Sequence, residues 1–265
     1  MALTNTFEGL SSNRFSGNTI DMSKDKDYLQ MLQTDKEQTR QYHTKSVVRT
    51  EQQKALEALL DLAQIQPRNV ADLACGGGAL SHHLKVMFPE ARFTLCDMDP
   101  FALELARELN GNKDFTYLQA DLYNLAGLAD NSFDLVCCWQ TLLCINDPGL
   151  ALQEMIRITR PGGRIYCSAL FNLDHDLDIR AQMLDHTRPS GVAGQWLPYN
   201  TYSRRTVDSW LKGRVQEHHL HAFKPQVDLT TESKGLGTYT INSERGRLQI
   251  SGGFLMNWAI LEIIR

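Results

Sequence analysis

Val70-Ala71-Asp72-Leu73-Ala74-Cys75-Gly76-Gly77-Gly78 is the stretch that decides the fold. An apolar run of strand length passes into three glycines, and Ala79 to Phe88 then reads as a helix stopped by Pro89. Glycines between a strand and a helix let the backbone turn tightly and approach a ligand closely, beside the positive helix N-terminus. Taken alone, the three glycines fit a tight strand-helix turn as well as a binding loop.

Working outward, the strand-helix unit repeats. Arg92 to Asp97 is a second strand, and Pro100 opens a helix over Phe101 to Leu109 that Asn110-Gly111 ends. Phe115 to Gln119 and Phe133 to Cys138 are the third and fourth strands, the latter nearly all apolar, as a strand buried on both faces should be. Leu150 to Thr159 is a helix, Arg160-Pro161-Gly162-Gly163 a turn, and Arg164 to Leu170 a fifth strand. This alternation predicts a parallel sheet with helices on both faces.

Carboxylates recur at the strand ends. Asp72 precedes the glycines, which disfavours a pyrophosphate but suits a ligand bearing an ammonium and a sulfonium. Asp97 ends the second strand, where a carboxylate can accept hydrogen bonds from both ribose hydroxyls. Asp99-Pro100 reads better as a helix N-cap and first position. Asp121 follows the third strand, where it can accept from an adenine amino group. Each could be a cap or a solvated loop residue, but three in register at successive strand ends point to one ligand.

These stretches together resemble the class I S-adenosylmethionine-dependent methyltransferases. The resemblance runs from about Arg49 to Phe171 and rests on Asp72-Leu-Ala-Cys-Gly-Gly-Gly, Cys96-Asp-Met-Asp-Pro, Gln119-Ala-Asp-Leu, Phe133-Asp-Leu-Val-Cys-Cys-Trp-Gln and Ile158-Thr-Arg-Pro-Gly-Gly-Arg. It implies S-adenosyl-L-methionine as cofactor and a seven-stranded, mostly parallel, doubly wound α/β sheet. The last strand should be antiparallel and lie beside the fifth, and the ligand crevice should lie at the carboxyl ends of the first and fourth strands. It further implies that Asp72, Ala74, Gly76 and Gly78 shape the methionine pocket. Asp97, with Met98 beside it, would hold the ribose, Asp121 and Leu122 the adenine, and Trp139-Gln140 the floor beside the methyl group. Ala74 stands where a glycine is usual, a mild departure provided the backbone there has φ below zero.

Four segments are expected: a tail and helical lid (1–44), the cofactor-binding core (45–171), an acceptor-site insertion (172–213) and a strand pair completing the sheet (214–265). In the core, Val48, Leu56, Leu59, Leu60 and Leu62 predict an amphipathic helix closed by Pro67. The insertion shows no clear strand and suggests one or two helices. Val215 to Leu229 and Leu248 to Ile264 read as long strands, with Gly252-Gly253 a bulge in the second. Tyr28 and Tyr42 could close over the cofactor. Arg49 could pair with the methionine carboxylate, or be a solvated helix residue.

The acceptor is less legible. A net charge of -4 argues against a broad nucleic-acid footprint. Trp139-Gln140 after the fourth strand lacks the Asn/Asp-Pro-Pro-aromatic pattern of base and amide methylation. Asp174-His175-Asp176 with Asp178 reads as a solvated loop rather than a metal site. His175 and His186, with Trp196, Tyr199, Tyr202, Arg204 and Arg205, fall where the family builds its acceptor pocket. His82 and His83 read as surface residues, and His219 and His221 as sharing one strand face. The expected acceptor is a small molecule methylated on oxygen or nitrogen, with no catalytic side chain obvious. Non-methylating chemistry on the same cofactor and a nicotinamide oxidoreductase are the rivals; against the latter, Gly76-Gly77-Gly78-Ala79-Leu80-Ser81 lacks the third glycine of the dinucleotide pattern. The six cysteines sit in apolar runs without C-x-x-C spacing and read as buried, reduced thiols. A polar N-terminus without a secretory signal, and no apolar run of bilayer length, suggest a cytoplasmic protein without membrane contact.

Overall fold

In a computed structural model, residues 36–45, 47–184, 196–230, 238–244 and 246–265 are described. Helix α1 (Lys36–Lys45) precedes α2 (Glu51–Ala63), and the alternating core follows: β1 (Asn69–Leu73), α3 (Ala79–Met87), β2 (Arg92–Asp97), α4 (Pro100–Asn110), β3 (Phe115–Gln119), β4 (Phe133–Trp139), α5 (Pro148–Ile158) and β5 (Thr159–Asn172). Then come β6 (Ile179–Leu184), β7 (Trp196–Ser203), α6 (Arg204–Leu211), β8 (Glu217–Ala222), β9 (Thr238–Ser243), β10 (Gly246–Ser251), β11 (Phe254–Leu255) and β12 (Trp258–Ile264).

The main sheet has nine strands rather than the expected seven: its path runs β3-β2-β1-β4-β5-β12-β8, and β7, paired with β6, attaches to β5. Its first five strands are parallel, and β12 is antiparallel to both β5 and β8, as expected for the last strand. Strand order reverses between β1 and β4, which opens a crevice at their carboxyl ends. One apolar cluster packs α2, α3 and α4 against one face through Leu56, Leu60, Leu84 and Ala106. The other packs α5 and α6 against the opposite face through Leu152, Met155, Val207 and Leu211. Local signals set these helices. Asp99 caps α4 by accepting from the Phe101 amide, with Pro100 at the first position, and Asp147 and Pro148 repeat the device at α5.

Four expectations need correction. Val48 and Leu62 are 74% and 82% exposed, because α2 begins only at Glu51 and turns Leu56 and Leu60 inward. Arg160 to Gly163 is part of β5, looped out as an irregularity between the pairs Phe133–Thr159 and Leu135–Arg164. The insertion carries a hairpin, β6 against β7, which joins the sheet through Phe171–Tyr202 and Asn172–Ser203. The carboxylate of Asp178 fastens that hairpin to α6 by accepting from the Ser203 amide and the Thr206 hydroxyl. Finally, 248–264 is not one strand. Gly252 and Gly253, with φ of 54° and 81°, turn β10 back into β11 as a two-residue hairpin loop, and β9-β10-β11 form a separate ribbon.

Candidate functional site

The carboxyl ends of β1, β2, β3 and β4, together with α1 and the start of α2, enclose a cavity of ~460 Å³. Asp72, Ala74, Gly76, Asp97, Met98, Asp121, Leu122, Trp139 and Gln140 all line it. Nine positions chosen from the sequence, spread over 69 residues (72 to 140 inclusive), thus meet in one space.

The carboxylates do different work. Asp97 Oδ2 accepts from the Gly76 amide at 2.8 Å and Oδ1 from the Asp99 amide at 2.9 Å. Its second-strand end is thereby fastened to the glycine loop. Asp72 is 1% exposed; its Oδ2 accepts from Ser81 Oγ at 2.7 Å, while its buried Oδ1 has no hydrogen-bond partner. Burial pushes the Asp72 carboxyl up to about 7 and the Asp97 carboxyl up to about 6. Asp121 Oδ1 accepts from the Tyr123 amide at 2.9 Å, closing the turn after β3.

Backbone strain gathers here too. Ala74 has φ of 51° and Gln140 of 56°, so the condition under which alanine would be harmless at position 74 is not met. The Gln140 amide donates to the Ser168 carbonyl at 2.9 Å, which fixes the turn after β4.

Two sequence candidates, Gly78 and Arg49, lie outside the cavity lining. Gly78 is the N-cap of α3 with φ of 74°, packed on Asn110, Ala106 and Leu95 rather than lining the cavity. Arg49 is 53% exposed along its side chain and ion-paired with Glu57, outside the lining. Tyr28 and His186 lie outside the described residues, and only the backbone of Tyr42, within α1, is described. Tyr199 and Tyr202 are buried in the apolar cluster with α5 and α6 and do not line the cavity, and His175, Trp196, Arg204 and Arg205 are exposed. His83 is half-buried with Nε2 on the Val47 carbonyl at 2.9 Å, and His219 and His221 do share a face, with ring centroids 5.9 Å apart. None of the six cysteines is in a disulfide, and Cys96, Cys137, Cys138 and Cys167 are buried.

Sequence reasoning missed the ceiling of the site. His43 on α1, Thr50 and Gln53 at the start of α2, and Thr141, Cys144 and Ile145 after β4 line the same cavity. Thr50 and Gln53 form a reciprocal capping box, which the Thr-x-x-Gln spacing could have disclosed. Gln52 Oε1 accepts from Ser168 Oγ at 2.7 Å and pins that helix start to β5. His43 carries no sequence signal; only the docking of α1 brings it to the glycines.

Residues 71–167 match the family model for a methyltransferase domain. This stretch is a methyltransferase domain, and the fold around it is that of class I S-adenosylmethionine-dependent methyltransferases. The chain is 31% identical over 180 residues to a malonyl-[acyl-carrier protein] O-methyltransferase of Hahella chejuensis, a match covering 68% of this chain and 63% of that protein. It is 32% identical over 117 residues to a ubiquinone biosynthesis O-methyltransferase of Xanthomonas oryzae pv. oryzae, covering 43% of this chain and 47% of the relative. The chain thus spans less than two-thirds of the first of these curated relatives and less than half of the second. Among solved structures, the fold is shared with the Burkholderia thailandensis 1,6-didemethyltoxoflavin-N1-methyltransferase bound to 1,6-didemethyltoxoflavin and S-adenosylhomocysteine. That likeness has a TM-score of 0.53 at 15% identity and covers 91% of this chain and 89% of the other. Among the described residues, no helix is long and apolar enough to cross a membrane.

Proposed function

We propose that the protein transfers the methyl group of S-adenosyl-L-methionine to an oxygen or nitrogen atom of a small-molecule acceptor in the cytoplasm. The observation that carries this reading is the convergence of Asp72, Asp97 and Asp121, from three successive strand ends, on one cavity. The residues fit the cofactor: the buried, unpartnered Asp72 Oδ1 belongs to a carboxyl that burial pushes up to about 7, and a nearby sulfonium or ammonium group would favour its ionised form. In this reading Asp97 accepts from the ribose hydroxyls, with Met98 beside the sugar. Asp121 and the Leu122 amide take the adenine edge, and Ala74 and Gly76 flank the amino-acid tail.

The bound cofactor supplies a methyl carbon already activated by its sulfonium. The protein's share is to exclude water and to hold the acceptor atom in line with that carbon. Trp139 and Gln140 wall the end where the methyl group would lie, and the strained Gln140 backbone is held there by Ser168. Both curated relatives are named as O-methyltransferases, which favours oxygen over nitrogen.

Calorimetry with S-adenosylmethionine, S-adenosylhomocysteine and NAD tests the cofactor half, and tighter binding of NAD would overturn it. Incubating the protein and methyl-labelled cofactor with a metabolite panel tests the transfer half. Label should appear in an ether, ester or amine product.

A further inference from the structure

Glu217, His219 and His221 alternate along β8, so their side chains project from one face of the strand. β8 ends the path of the main sheet, with β12 on one side and, among the described residues, no strand on the other. The two imidazole side chains are 46% and 33% exposed, and a cleft of ~360 Å³ opens beside them. None of the residues lining that cleft lines the cofactor cavity.

A carboxylate holds each ring. His219 Nε2 meets Glu217 Oε1 at 2.8 Å, and His221 Nε2 meets Glu262 Oε2 at 2.7 Å. Glu262 is anchored in its turn, accepting from the Tyr166 hydroxyl at 2.7 Å and pairing with Arg164. An ionised carboxylate can only accept, so Nε2 carries the proton in both rings, and in the neutral imidazole each Nδ1 keeps a lone pair. Among the described residues neither Nδ1 has a hydrogen-bond partner. A carboxylate on the far nitrogen is the device that fixes the tautomer of a metal-binding histidine and raises its basicity.

The spacing of the rings fits a shared ion. Two imidazoles on a tetrahedral metal, with metal–nitrogen bonds of about 2.05 Å, have ring centres about 5.2 Å apart. The ring centres of His219 and His221 are 5.9 Å apart, within about 1 Å of that value. Among the described residues no three metal-ligating side chains converge, so the protein would supply two ligands and water the rest.

We propose that His219 and His221, oriented by Glu217 and Glu262, form a chelating pair for a divalent transition metal such as zinc at the edge of the sheet. Imidazole nitrogen suits zinc, nickel and copper, whereas calcium and magnesium take oxygen ligands. An ion bound there would stabilise the folded chain by mass action.

The test is calorimetric titration of zinc alone into chelator-treated protein. Wild type should bind one zinc ion with a Kd in the micromolar range. His219→Ala and His221→Ala should each weaken binding about tenfold or more, and Glu217→Gln about tenfold through the lost orientation of His219. His218 points to the other face, its Nε2 on Asp208 at 2.7 Å, and His218→Ala should leave the affinity unchanged. Melting temperatures without metal check that every variant folds. Zinc should raise the melting temperature of wild type but not of His219→Ala, and magnesium should raise neither. No binding to wild type at millimolar zinc overturns the proposal, as does wild-type affinity in the doubly substituted His219→Ala, His221→Ala protein. Full affinity in Glu217→Gln also overturns it, since the pair would then be an adventitious chelate without a built shell.

Discussion

The carboxylate of Asp97 accepts the amide hydrogen of Gly76 at 2.8 Å, so the end of β2 holds the loop that follows β1. In the proposed function, the residue that would hold the ribose therefore also shapes the loop where the amino-acid tail would lie. Asp97→Ala should weaken S-adenosylhomocysteine binding by about 2–4 kcal/mol through lost charge-assisted hydrogen bonds. Calorimetry would show it. Asp97→Asn keeps an acceptor for Gly76 and should lose less; equal losses in the two variants would contradict the dual role.

The buried carboxyls make ligand-free stability depend on pH in an unusual direction. Burial raises Asp97 to about 6 and Asp72 to about 7, from 3.8 in the unfolded chain. The folded state then binds more protons than the unfolded one across that interval, so stability contributed by these groups falls as pH rises from about 4 through 7. A cationic ligand relieves the buried charge. The rise in melting temperature on adding S-adenosylmethionine should be larger at pH 8 than at pH 5.5. The pH effect should be smaller with S-adenosylhomocysteine, which lacks the sulfonium. Identical shifts at both pH values would count against the carboxylates facing the ligand charge.

Ala74, at φ of 51°, holds a left-handed backbone that costs an L-residue about 1–2 kcal/mol. Ala74→Gly should relieve part of that and raise stability by up to about 1 kcal/mol, the extra freedom of glycine in the unfolded chain offsetting the rest. Ala74→Val should destabilise. Urea titrations read both, and a stabilising valine would show that the strain is not at this residue.

Gly78 and Gly111 both have positive φ, but only Gly78 is enclosed. A Cβ there would meet Asn110 Nδ2 at 2.6 Å and Ala106 Cβ at 3.0 Å, whereas Gly111 has open space. Asn110 is itself committed, donating to the carbonyls of Gly78 and Ala106 at 3.1 Å each. Gly111→Ala should cost about 1 kcal/mol from backbone strain alone, and Gly78→Ala about 2–3 kcal/mol once overpacking is added. Equal midpoints for the two variants in denaturant would remove the packing argument.

The sequence by itself determined the alternating core, because its signals are local. A buried parallel strand is an apolar run, its helix opens at an Asp-Pro or glycine punctuation, and Asp72, Asp97 and Asp121 fall at strand ends by chain position alone. The segments after β5 were poorly legible for the opposite reason. β7 joins the sheet through partners distant in sequence, as Phe171–Tyr202 shows, and the β9-β11 ribbon, though it pairs locally through Ser243–Gly246 and Ser251–Phe254, has a polar, mixed composition with no clean period. What only the tertiary structure decided is the ceiling of the site. Arg49 and His43 are six residues apart and both basic in type, yet Glu57 draws one out of the cavity and the Gly77 amide draws the other in. That choice depends on where α1 and α2 dock, and a side chain's partner across a cleft is a property of the packed molecule that no local pattern encodes.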